Sequence, residues 1–139
     1  MLHLEHVNLV VKNIPAMVTF YQAAFPHWRV RSSGLGEWYG KPRNWLHFGD
    51  DYQYLAWSDH GEGENRDLHG HQMGLAHFAF SVDSIDAVTR RLENAGYEIA
   101  NPGVTEPYRK NVYFIDPAGY EVEFVEYLSD IPAERNADS

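Results

Sequence analysis

Two stretches decide the fold: HVNLVVKNIPAM, from His6 to Met17, and HFAFSVDSIDAV, from His77 to Val88. They superpose without a gap at a shift of 71 residues, from position 6 to position 77, so that His6 meets His77, Val11 meets Val82, Ile14 meets Ile85 and Ala16 meets Ala87. Each begins as an alternating, β-branched run and then changes to helical spacing, the pattern of a strand feeding a helix. The later halves superpose at a shift of 67, which sets Phe48 on Ile115, Leu55 on Val122, Ala56 on Glu123 and Trp57 on Phe124. The same shift sets His47 on Phe114, outside the candidate ligands. Equivalent strands of two copies can face one cavity. The duplication therefore draws two histidines and a carboxylate together, although His6 and Glu123 lie far apart in the chain.

Each copy reads as β-α-β-β-β. In the first, Asn13 is a plausible N-cap with Pro15 tolerated in the first turn, and Met17, Phe20, Tyr21 and Ala24 form a buried stripe that Pro26 ends. Short strands follow near HWRVRSS, NWLHFGD and QYLAWSD. In the second copy GLAHFAFSV is a strand, SIDAVTRRLENAG a helix capped by Asp83 or Ser84 and closed by Gly96, and YEIA, RKNVYFID and YEVEFVEY are strands. The organisation is one domain over 1–139: module one 3–58, a polar glycine-rich connection 59–74, module two 75–128 and a polar, frayed tail 129–139.

Composition narrows the function. The chain has 139 residues, enough for a core without disulfides. It has no Cys, which removes thiolate catalysis, iron–sulfur clusters and cysteine-based zinc sites. With 11 Lys and Arg against 20 Asp and Glu, the net charge of −9 repels a phosphate backbone and argues against nucleic-acid binding. No apolar run reaches the roughly 18 residues of a membrane span, and a soluble, cytoplasmic protein with a small-molecule partner is expected.

Alternation then sorts the faces. His6 travels with Asn8, His77 with Ala79 and Ser81, and Glu123 with Glu121 and Val125, while Val122 and Phe124 point toward the helix. Arg109, Asn111, Tyr113 and Ile115 share a face of the preceding strand. His3 and Glu5 are expected to face away from His6. His60, His69 and His71, in the connection, read as solvated loop residues because glycine-rich backbone preorganises no ligand geometry. Two imidazoles and a carboxylate are the donor set that holds a divalent metal and leaves positions open for substrate, water or dioxygen.

These residues resemble the vicinal oxygen chelate superfamily of glyoxalase I, extradiol dioxygenases, fosfomycin-resistance thiol transferases and bleomycin-resistance binding proteins. HVNLVVKNIPAMVTFYQ, GLAHFAFSVDSID and VYFIDPAGYEVEFVE carry the resemblance, with DPAGYEVEF its most specific piece. It implies an α+β fold whose two modules pair as an incomplete barrel, with His6, His77 and Glu123 matching ligand positions on the first, fifth and eighth strands. It also implies a divalent ion (Fe, Mn, Zn or Ni) and a homodimer. The departure is Ala56, where four-ligand members such as glyoxalase I carry a carboxylate. Gln53 lies an odd number of residues away and should face the other side.

The expectation is a metal-dependent enzyme of dioxygenase-like or lyase/transferase-like chemistry on a small oxygen-bearing substrate. Tyr113 and Asn8 would orient substrate or donate a proton, and Arg109 would neutralise a developing oxyanion. The rival expectation is a metal-free protein that sequesters an aromatic or cationic compound.

Overall fold

A computed structural model describes residues 1–137. The fold is α+β, and the chain divides into two compact units, Met1–Glu64 and Asn65–Ser139. The division falls inside the polar connection. Its first half is tied to the first unit, where Gly61 N donates to Val11 O and Lys41 Nζ to Glu62 Oε1. Its second half belongs to the second unit, where Asn65 Nδ2 donates to Ala118 O.

The first unit contains β1 (His6–Val10), α1 (Ile14–Ala24), β2 (Arg29–Trp38), β3 (Lys41–Gly49) and β4 (Tyr54–Ser58), in the sheet order β1-β4-β3-β2. Asn13 caps α1, its side-chain oxygen accepting from Ala16 N at 3.0 Å. Pro15 in the first turn costs no hydrogen bond, because N–H groups there have no helical partner. Ile14, Met17, Phe20, Tyr21 and Ala24 are the buried face of the helix. Phe48, Leu55 and Trp57 are buried on the strands, and the Trp57 ring lies 5.7 Å from Tyr21 and 5.8 Å from Phe48. Each such side chain contributes about 1.5–3 kcal/mol by leaving water.

The strands β2 and β3 are longer than the sequence pattern suggested. They form one hairpin closed by Tyr39 and Gly40, at φ 46° and 86°, the left-handed pair of a two-residue hairpin turn. GLGEW and KPR, which lie between the short strands expected near HWRVRSS and NWLHFGD, both belong to the hairpin. Pro42 is accommodated because β3 pairs with β4 only over 45–49, so one side of Pro42 needs no donor.

The second unit contains β5 (Phe78–Ser81), α2 (Ile85–Asn94), β6 (Arg109–Ile115), β7 (Glu121–Tyr127) and the short α3 (Pro132–Arg135), with sheet order β5-β7-β6. Ser84 is the cap of α2, accepting from Ala87 N at 3.1 Å, and Gly96 closes the helix at φ 96°. Val88, Leu92, Val112, Phe114, Val122 and Phe124 form its core. YEIA is not a strand. Ala100 N bonds to Tyr113 O, but Asn101 makes only an isolated bridge to Tyr113. Pro102 lacks a donor and Gly103 sits at φ 68°, so the ladder breaks there and resumes only as the bridge of Thr105 to Lys110. The tail is also more ordered than expected: α3 forms, Ser129 Oγ donates to Glu134 Oε1 at 2.6 Å, and the Arg135 guanidinium lies 4.0 Å over the Tyr127 ring. Of the tail read as frayed, 138–139 lie outside the described residues.

Strand registers establish the internal repeat and correct it by one residue. In the first unit β1 runs parallel to β4 with Asn8 opposite Ala56, and in the second β5 runs parallel to β7 with Ala79 opposite Glu123. These are equivalent pairs under the shifts of 71 and 67. The antiparallel pairs differ: Phe48 faces Leu55, and Phe114 faces Val122. Phe48 therefore corresponds to Phe114, a shift of 66, and not to Ile115. The β6–β7 connection is one residue longer than the β3–β4 connection, so a shift read on the last strand cannot be carried back across the turn. His47, opposite Ala56, is thus the counterpart of Tyr113, opposite Glu123.

Candidate functional site

In the second unit two strands and the segment leading into a third bring polar groups together; the strand expected over GLAHFAFSV is confined to Phe78–Ser81, which leaves His77 just outside it. His77 directly precedes β5, Glu123 is in the middle of β7, and Tyr113 faces it from β6. His77 Nε2 lies 3.2 Å from Glu123 Oε1, and His77 Nδ1 lies 4.0 Å from Glu121 Oε1. The imidazole is half-exposed, whereas Glu123 is only 8% exposed. A carboxylate this buried needs partners. The second partner is Asn111, whose Nδ2 donates to Glu123 Oε2 at 2.8 Å. The Tyr113 ring stands edge-on to His77, with centroids 5.5 Å apart. Burial, and then the charge of Glu123, holds the Tyr113 phenol above its ordinary range, so it is a proton donor at neutral pH.

Arg109 is on the expected strand, yet it is already engaged. Its Nε lies 3.4 Å from Glu106 Oε2. Burial opposes its charge, but Tyr127, Glu106 and Glu123 more than offset this and raise its pKa.

In the first unit His6 opens β1 and stacks on Tyr54 with ring centroids 4.5 Å apart. Its Nδ1 lies 2.9 Å from Glu5 Oε1. Glu5 was expected to face away, but it precedes the strand, where alternation no longer governs its direction. The pairing occupies Nδ1 and leaves Nε2 to act as a donor atom. His47 stacks on Tyr54 as well, at 4.6 Å, and the Arg31 guanidinium lies 4.4 Å from the Tyr54 centroid. Burial, and then His6, Arg31 and Arg43, lower the pKa of His47. Linear spacing does not expose this row of rings, because a shift of 67 sets His47 on Phe114 and not on its structural counterpart Tyr113. Asn8 is exposed on β1 opposite Ala56, which is buried. Gln53 is exposed in the turn before β4 and bonds to Asp50 through its backbone.

Among the described residues, no group of three or more His, Asp or Glu side chains is gathered as a ready cation site. The local donor chemistry nevertheless suits a divalent ion. Two ligands with bonds of about 2.1 Å at a right angle are about 3 Å apart, close to the 3.2 Å between His77 Nε2 and Glu123 Oε1. In the connection, His60 is held by Ser58 Oγ at 2.6 Å and stacks on Trp38.

Comparison with known proteins adds the family. The chain is similar over its length to a glyoxylase/bleomycin resistance protein/dioxygenase domain from Frankia sp. EAN1pec, with 20% identity, 99% of each chain covered and a TM-score of 0.75. A glyoxalase family protein from Enterococcus faecalis matches at 25% identity and TM-score 0.70, covering 89% of this chain and 97% of that one. The fosfomycin resistance protein FosX from Listeria monocytogenes, solved as an E126Q mutant with Mn(II) and 1S,2S-dihydroxypropylphosphonic acid, matches at 19% identity and TM-score 0.71, with 99% of each chain covered. No curated protein matches. No helix is long and apolar enough to cross a membrane among the described residues. The model of the Glyoxalase/Bleomycin resistance protein/Dioxygenase superfamily matches residues 3–124, and the chain belongs to that superfamily.

Proposed function

We propose that this protein is a metal-dependent enzyme in which His6, His77 and Glu123 hold a divalent ion that binds a small substrate through its oxygens. The observation that carries the reading is the pairing of His77 Nε2 with Glu123 Oε1 at 3.2 Å, on a carboxylate buried to 8% exposure. His6 supports it, because Glu5 on Nδ1 fixes the ring so that Nε2 is the donor atom. A FosX relative with Mn(II) bound makes such an ion reasonable for this fold. A bound divalent ion would supply Lewis acidity toward a substrate oxygen. The protein's own groups do the rest. Tyr113 donates a proton or hydrogen bond to substrate beside Glu123, and Asn8 orients it from β1. Arg109, shared with Glu106, acts on an anionic oxygen only through its remaining N–H groups. Ala56 cannot ligate, so the set has three protein donors and the chemistry is dioxygenase-like or lyase/transferase-like. The protein works as a cytoplasmic homodimer.

Metal-free sequestration of an aromatic or cationic compound is the second reading. The stacked rings of His6, Tyr54 and His47 favour it, since they offer π-faces without requiring an ion. Elemental analysis of protein purified without a histidine tag separates the two. One equivalent of a divalent ion, lost in His77→Ala, supports the enzyme, and a screen of catechols, 2-oxoaldehyde thiol adducts and epoxides then finds the reaction. Metal-free protein that does not take up an added ion and still binds an aromatic ligand supports sequestration.

A further inference from the structure

Glu123 has two oxygens, and only one faces His77. The other is occupied by Asn111, which is itself 8% exposed. The orientation of the Asn111 amide follows from its surroundings. Val104 N–H points at it and requires an acceptor, so Oδ1 receives that bond at 2.8 Å. Nδ2 is thereby turned toward Glu123 Oε2 at 2.8 Å, with Tyr113 Oη at 3.4 Å. The loop that presents Val104 is pinned in turn. Asn111 N donates to Val104 O at 3.2 Å, Gly103 N donates to Asn101 Oδ1 at 2.9 Å, and Thr105 bridges to Lys110. Gly103 makes the close approach possible: its φ is 68°, and a Cβ there would overlap both Asn111 Oδ1 and the Asn111 carbonyl oxygen.

We infer that Asn111 is a positioning residue: locked by the loop over Gly103, it holds Glu123 Oε2 so that the carboxylate presents the single oxygen Oε1 beside His77. This rests on the reading of Glu123 as a metal ligand. An amide donor is required for it. An acceptor in the same place repels Glu123, and an apolar side chain removes the amide bond to Oε2, leaving His77 and Tyr113 as the partners that hold the carboxylate.

The test is Mn(II) binding to the metal-free full chain, followed by loss of the free-ion electron paramagnetic resonance signal, for wild type, Asn111→Asp and Asn111→Leu. Asn111→Asp retains the acceptor for Val104 N–H and hence the loop, and it replaces the amide donor to Glu123 with a second carboxylate oxygen. Unfolding in urea and near-UV circular dichroism check that each variant is folded. Removing a group that orients a ligand typically weakens metal binding by about 10- to 100-fold, and both variants should show this loss. Asn111→Asp should also make affinity depend more steeply on pH than in wild type, because the facing carboxylates share a proton, an effect that general loosening of the structure would not produce. If wild type binds Mn(II) and folded Asn111→Asp binds it equally well with the same pH profile, the positioning role is refuted while the metal reading stands. If Asn111→Leu alone weakens binding, Asn111 acts by packing and the inference fails. If wild type binds no Mn(II), the metal reading fails and takes the inference with it.

Discussion

Gly103→Ala tests the loop that locks Asn111. The substitution meets two separate penalties. At φ 68° an L side chain sits in the left-handed region, at a cost of roughly 1–2 kcal/mol. In addition the new Cβ would lie well under 3.0 Å from Asn111 Oδ1 and from the Asn111 carbonyl oxygen. Backbone cannot rotate away as a flexible side chain can, so the loop must lift. Lifting it breaks Val104 N to Asn111 Oδ1 and Asn111 N to Val104 O, each worth about 1 kcal/mol. Together the loss is about 3–4 kcal/mol. Gly96→Ala is the matched control in the same unit. Its φ is 96°, but nothing lies within 4 Å of its Cβ position, so only the conformational penalty of roughly 1–2 kcal/mol applies. Urea unfolding measures both. With a slope of about 1–3 kcal/mol/M, a 3 kcal/mol loss lowers the midpoint by about 1–3 M at unchanged slope. Equal midpoints for the two variants would show that contact with Asn111 adds nothing beyond backbone strain, and would refute the close-approach argument.

Three further outcomes are expected. Asp50 accepts hydrogen bonds from Tyr52 N and Gln53 N in the β3–β4 turn; burial raises its pKa, but these bonds outweigh it and the folded-state value falls below the ordinary 3.8. Its contribution is therefore complete above pH 3.8 and lost as pH falls through the folded value, so Asp50→Ala should cost about 1–2 kcal/mol at pH 7 and progressively less below pH 3.8 in urea titrations; a constant difference down to pH 2 would contradict this. Ser84→Ala removes the cap of α2 and should cost about 1 kcal/mol by the same measurement, an unchanged midpoint arguing that the bond from Ile85 N to Glu126 Oε1 suffices. Phe20, fully buried on α1, should cost about 3–5 kcal/mol as Phe20→Ala, and a loss below 1 kcal/mol would show that the first unit's core collapses to fill the space.

The helices and inner strands were legible because periodicity is a local property. Asn13 and Ser84 can satisfy orphan N–H groups wherever they precede an apolar stripe, and Met17, Phe20, Tyr21 and Ala24 fall on one face by geometry alone. The Tyr39–Gly40 hairpin was obscured because Gly and Pro weaken a strand pattern without forbidding an edge strand. YEIA misleads for the opposite reason: its alternation is genuine, but contact with β6 begins only at Ala100 and is interrupted at Pro102 and Gly103.

By itself the sequence determined that one β-α unit occurs twice, with His6 and His77 at equivalent positions and Glu123 at the position that Ala56 fills in the first copy, since burial period and side-chain chemistry are written in residue types. Tertiary structure decided the rest. The extra residue in the β6–β7 connection, which makes His47 the counterpart of Tyr113, appears only when strands pair. Glu5 reaching His6 and Asn111 turned toward Glu123 by Val104 depend on which hydrogen-bonding groups the folded backbone brings within about 3 Å, and the Arg109–Glu106 ion pair on an approach of 3.4 Å, distances that no linear spacing encodes.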